Sequence, residues 1–156
     1  MTLALFVFIA WVIISVYFFV PKRLSTEENI LLFCFFTIIT INIFTILDLN
    51  LKFIQHNYKS EMFISFWIHR NIIIPLSLII FVNLINNFNS KIQKFITTIL
   101  IFSILYLIDL LAFGMALMTC YSSSLYLASA ILLVVLMLLA FLTMKLVTKL
   151  PEGKSM

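Results

Sequence analysis

Residues 66–75 read FWIHRNIIIP, a histidine, an arginine and an asparagine side by side in an otherwise apolar run. Whether this stretch crosses a bilayer decides the fold. Taken as part of a helix over residues 63–85, it gives the chain five spans. With residues 63–70 laid on a membrane surface and the rest only dipping in, the chain has four spans and the tail changes side relative to the N-terminus.

The rest of the chain shows which solvent is at issue. Of 156 residues, 64% are hydrophobic and 10% charged, with a mean hydropathy of +1.22. A soluble domain is about half apolar and a quarter charged, and one of this length needs more polar surface than these residues supply. A water-soluble fold is excluded. Apolar segments at residues 2–20, 30–51, 63–85, 95–118 and 125–147 each reach the roughly 20 residues that a spanning helix needs. The expectation is an all-α integral membrane bundle, one transmembrane domain over residues 1–156 with a short cytoplasmic tail at 148–156.

Punctuation between the segments agrees. Pro21 stops the first helix, and Ser25 with Glu28 forms an S-x-x-E capping box for the second. Ser90 and Gln93 repeat that spacing before the fourth. The positive charges Lys22 and Arg23 follow the first helix, the reverse of a secretory signal, so that helix is expected to be uncleaved.

Orientation follows from counting Lys and Arg. One side of a five-span arrangement receives Lys22, Arg23, Lys91, Lys94, Lys145, Lys149 and Lys154, and the other Lys52, Lys59 and Arg70. The positive-inside rule makes the first side cytoplasmic, with the N-terminus out and the C-terminus in. The net charge of +4 is thus read as orientation, and with no long basic run the chain is not expected to bind nucleic acid. The tail lysines also suit anionic lipid.

Depth locates the polar residues. By a rise of about 1.5 Å per residue, Asp109 stands roughly 22 Å above Lys94, Arg70 roughly 24 Å above Asn86 and Asp48 roughly 27 Å above Ile30. All three fall in the outer third of a hydrocarbon layer about 30 Å thick. Charges at that depth face the bundle interior and pair. Arg70 is therefore expected against Asp109, with Asp48 the competing partner, in a cluster with Asn71 and His69. On the second helix Thr37, Thr40, Thr45 and Asp48 share an arc of about 140°, expected to turn inward. Pro75 removes a backbone donor, frees the carbonyl of Asn71 and kinks the third helix. Ala112 with Ala116, and Ser124 with Ala128, form small-x-x-x-small pairs that predict close packing of the last two helices. The first helix, nearly devoid of polar residues, is placed at the lipid-facing edge.

Chemistry-bearing patterns are sparse. His56 and His69 are thirteen residues apart, without H-x-x-x-H, H-E-x-x-H or C-x-x-C, so no metal site is expected. Cys34 and Cys120 fall at opposite membrane faces, out of disulfide reach. No nucleophile sits beside a base, and no Gly-rich phosphate loop occurs; no cofactor is expected. Only Gly114 and Gly153 are available for the broken helices that transporters favour.

The first third, Trp11 on an N-terminal helix running into YFFVPKRLSTEEN, resembles small uncharacterised multi-pass membrane proteins of Bacillus-type bacteria. The resemblance implies a plasma-membrane location and carries no activity to any residue. The wealth of Phe, Ile and Asn, whose codons are rich in A and T, and the scarcity of Gly likewise suggest a low-GC bacterium. The functional expectation is a non-enzymatic protein acting through contacts, an accessory subunit or an immunity or envelope-stress factor, with the bilayer and a membrane protein or a second copy as partners. The alternative is a small transporter or ligand-binding protein with an outward polar pocket around Arg70. An enzyme, ranked third, would need His69 and Asp109 for acid-base work.

Overall fold

A computed structural model describes residues 1–50, 55–56, 59–119 and 125–147. The expectations for Lys52, Cys120, Ser124, Lys149, Lys154 and the tail lie outside the described residues. The described residues are all-α apart from one two-residue pairing. Its elements are α1 (Thr2–Phe19), α2 (Thr26–Thr45) continued by a π-helical turn (Ile46–Asn50), β1 (Gln55–His56), α3 (Ser60–Ile68) joined by a second π turn (His69–Ile73) to α4 (Ile74–Asn87), α5 (Lys91–Gly114), β2 (Met118–Thr119) and α6 (Leu125–Val147). Among the described residues five helices are long and apolar enough to cross a membrane, the third being the continuous rod Ser60–Asn87.

The helix starts are readable in local chemistry. Ser25 caps α2, its hydroxyl accepting from the Glu28 amide at 3.2 Å while its own amide donates to the Glu28 carboxylate at 2.7 Å, so the helix begins four residues before the apolar run at Ile30. Ser90 stands at the start of α5 but makes no side-chain cap bond, contrary to the parallel drawn with Ser25.

The third helix organises the bundle. It packs against α1, α2, α5 and α6, and α5 packs on α6. In its apolar window 72% of the residues are buried, against 17–33% in the other four helices, and it is the least apolar of the five. These two facts belong together, since a helix surrounded by protein carries its polar groups where partners exist. FWIHRNIIIP is the middle of this enclosed rod. Side-chain contacts set its sense against its neighbours: Arg23 and Asn29, beside the start of α2, meet Asn87 and Asn83 at the end of α4, and Phe6 meets His69. The second helix therefore runs antiparallel to the third, and α1 parallel to it. β1 pairs antiparallel with β2, Gln55 opposite Thr119 and His56 opposite Met118, tying the connection after the second helix to that after the fourth.

α1 sits at the edge. It buries a single stripe, Phe6, Ala10 and Ile13, while Phe8, Trp11, Phe18 and Phe19 are exposed. α2 differs from expectation. Its buried stripe is Asn29, Leu32, Phe36, Thr40 and Phe44; Thr37 and Asp48 are half-buried, and Thr45 is exposed. The threonine arc need not turn inward, because Thr37, Thr40 and Thr45 each donate to the carbonyl four residues back, which satisfies a hydroxyl without any neighbouring helix.

The small-residue pairing is also corrected. Ala112 is fully buried, but α5 ends at Gly114 and Ala116 lies beyond it, exposed, with a positive φ of 54°. There the Ala116 amide donates to Phe113 and the Leu117 amide to Ala112, the two bonds of a Schellman turn. Ala128 is exposed on α6, and its neighbour Ser129 is buried instead.

Candidate functional site: a buried polar core

Three helices bring polar side chains together at the end of the bundle that holds the N-terminus. His69 and Asp109 are 0% and 4% exposed, and His69 Nε2 lies 3.0 Å from Asp109 Oδ1. The approach is poorly aligned, and neither atom completes a well-formed hydrogen bond; His69 Nδ1 also lacks one. With its proton on Nε2 the ring turns that N–H toward the carboxylate side, off the line of a good bond, and leaves Nδ1 a bare acceptor. Phe6 closes over the imidazole edge-to-face, ring centroids 5.9 Å apart at 87°.

Asp109 thus meets His69 where Arg70 was expected, and no ion pair joins Asp109 to Arg70 among the described residues. Adjacent helical residues point about 100° apart, so His69 and Arg70 cannot both face α5. The imidazole goes inward, because a ring with one donor and one acceptor is less costly to desolvate than a guanidinium with five donors. Arg70 stays half-buried. Its Nε donates to Asn71 Oδ1 at 3.3 Å, its guanidinium lies 5.3 Å from the Phe66 ring centroid, and Asp48 acts on it electrostatically. Asn71 is buried. Phe66 in turn packs edge-to-face on Phe44 of α2, centroids 5.7 Å apart.

Both π turns lie in this region, one carrying Asp48 and the other His69, Arg70 and Asn71. The second has a local cause. Pro75 has no amide to give the carbonyl of Asn71, and the chain opens to a wider turn in which the Ile74 amide reaches the carbonyl of His69, five residues back. Single π turns are frequent at functional sites.

A second polar contact went unpredicted. Asn83 Nδ2 donates to Asn29 Oδ1 at 2.7 Å and to the Ile79 carbonyl at 3.0 Å, both side chains being buried. Asn29 Nδ2 in turn donates to the carbonyls of Leu24 and Ser25, pinning the first connection. The depth arithmetic applied to Arg70 also pairs Asn29, near the start of its helix, with Asn83, near the end of its own. Ser65 is buried too, bonded to the Glu61 carbonyl at 2.7 Å.

No group of three or more His, Cys, Asp or Glu able to hold a metal occurs among the described residues. Cys34 is a free, exposed thiol, and His56 is placed by its backbone alone. No family model, curated protein or solved structure matches the chain.

Proposed function

We propose that this is an integral membrane protein that crosses the plasma membrane of a bacterium five times, N-terminus out and C-terminus in, and works through contact as an accessory subunit or an immunity or envelope-stress factor. The observation that carries the reading is the enclosure of the third helix. His69 is packed against Asp109 and under Phe6, an arrangement that favours a role in fixing helix register over turnover of a substrate. The outer faces of the other helices offer large apolar side chains such as Trp11, Leu31, Ile38, Leu107 and Leu138, which lipid or a partner helix covers. Lys22, Arg23, Lys91, Lys94 and Lys145 fall at one end of the bundle by helix order, the end the positive-inside rule turns to the cytoplasm.

Native mass spectrometry of the tagged protein, extracted gently from its own membrane, tests the role. A stoichiometric second protein is the expected result. Measurable turnover of a lipid or peptide by the purified protein would overturn it.

The second reading, a transporter or binding protein opening outward near Arg70, draws on the two π turns and the incompletely bonded His69 and Asp109. There Arg70 would take an anionic group. Its mark is a small bound mass whose thermal stabilisation Arg70→Ala abolishes while the protein stays folded.

A further inference from the structure

At the opposite end from the polar core, α4, α5 and α6 leave a lateral groove of about 460 Å³, within the range of small-ligand sites. Its walls are apolar, with Phe81, Phe95, Phe102, Val134, Met137 and Phe141 among them, and its polar residues are Lys91, Lys94 and Thr98. Thr98 already donates to the Lys94 carbonyl. Lys91 is exposed and Lys94 half-buried, and neither ammonium is paired with a carboxylate among the described residues. A third ammonium, Lys145, lies 4.6 Å from the centroid of the Phe141 ring that lines the groove.

Length and polarity together define the occupant. From Lys91 to Phe102 the helix rises roughly 17 Å at about 1.5 Å per residue, close to half of a hydrocarbon layer about 30 Å thick. The groove therefore runs from a cationic mouth at headgroup level to about the bilayer midplane. We propose that it is a binding site for one anionic phospholipid, an acyl chain lying along Phe81, Phe102 and Met137 and the phosphate held by Lys91 and Lys94. Basic pockets between spanning helices on the cytoplasmic side take anionic headgroups in this way. Zwitterionic lipid of the same chain length gains the apolar contact without net charge complementarity, so the site is selective. The proposal rests on the membrane reading above.

The test begins with the full-length protein, delipidated in detergent and titrated with phosphatidylglycerol or with phosphatidylcholine of identical chains, bound lipid being counted by native mass spectrometry. One phosphatidylglycerol is expected to bind at least about tenfold more tightly than phosphatidylcholine, and the double variant K91Q/K94Q to lose about thirtyfold in that affinity. Val134→Trp, at an exposed wall position, is expected to block the acyl chain with both lysines intact. Unfolding temperatures close to the parent's show that the variants are folded. Equal binding of the two lipids, unchanged binding by K91Q/K94Q, displacement of the lipid by millimolar inorganic phosphate, or a lipid-free dimer that Val134→Trp dissociates would each overturn the site. Recovery of the protein in the membrane pellet after alkaline extraction separates the two failures. An extractable protein sinks the membrane reading and the lipid site with it, whereas a retained protein that binds no lipid sinks the site alone.

Discussion

A buried imidazole 3.0 Å from a buried carboxylate ties the fourth long helix to the third through two side chains. Although the contact lacks a well-formed hydrogen bond, removing either partner takes the facing charge or dipole from the other, and a buried polar group left wholly uncompensated costs about 1–3 kcal/mol. Asp109→Ala and His69→Ala are therefore each expected to lower unfolding free energy by that order in detergent. The double variant should lose less than the sum, with a coupling of at least about 0.5 kcal/mol; strict additivity in the cycle would mean that the contact contributes nothing. Ala116 offers a change of opposite sign. An alanine at φ 54° occupies the left-handed region that glycine enters freely, so Ala116→Gly is expected to raise stability by about 0.5–1 kcal/mol, read as a higher unfolding temperature. A decrease would mean that this turn is not left-handed. At this scale the sequence shows which residues cluster and hides which of them pair. Depth places Asp109 level with both His69 and Arg70, and only the azimuth of the third helix selects the histidine.

Two elements carry most of the internal logic. The third helix is widened by a π turn because Pro75 withholds a donor, and that turn sets the direction in which His69 faces. Pro75→Ala restores the donor, and closing the wide turn to an α-turn swings the preceding residues by up to about 100°. Repeating the His69/Asp109 cycle in the Pro75→Ala background is expected to show its coupling energy fall toward zero. An undiminished coupling would mean that the turn persists without proline. At the other end, Asn83→Leu deprives Asn29 of its donor and is expected to cost about 0.6 kcal/mol, the average for hydrogen bonds between membrane helices, and at most about 1.7 kcal/mol, with unfolding in detergent as the readout. The capping box at Ser25 and Glu28 was legible because its chemistry is local. Ser90, with the same spacing to Gln93, makes no cap bond, and the arc of threonines on α2 predicted burial only in part, Thr40 being buried, Thr37 half-buried and Thr45 exposed, because hydroxyls that bond their own helix carry no information about neighbours.

At the scale of the molecule, five apolar helices can be counted from hydropathy alone, and their bounds differ from those expected by only a few residues at most ends. The order of packing could not be read in the same way. Hydropathy ranks the third helix as the weakest candidate of the five, whereas it is the one the others surround. Its lower apolarity reflects protein around most of its length, with Phe63, Ile64 and Trp67 near its start left exposed, where a lipid-facing helix would need apolar side chains throughout. Topology has its own check: a reporter fused after Met156 is expected to score as cytoplasmic, and an extracytoplasmic score with the N-terminus also outside would leave an even number of spans. The most direct test of the enclosed third helix is oxygen accessibility of spin labels in lipid nanodiscs, placed singly at Ser77, Ile79 and Val82 and compared with Ile38, Leu107 and Leu138. The enclosed arrangement predicts uniformly low oxygen contact at the first three and several-fold higher contact at the others; comparable contact at both sets would place the third helix against lipid and contradict the account.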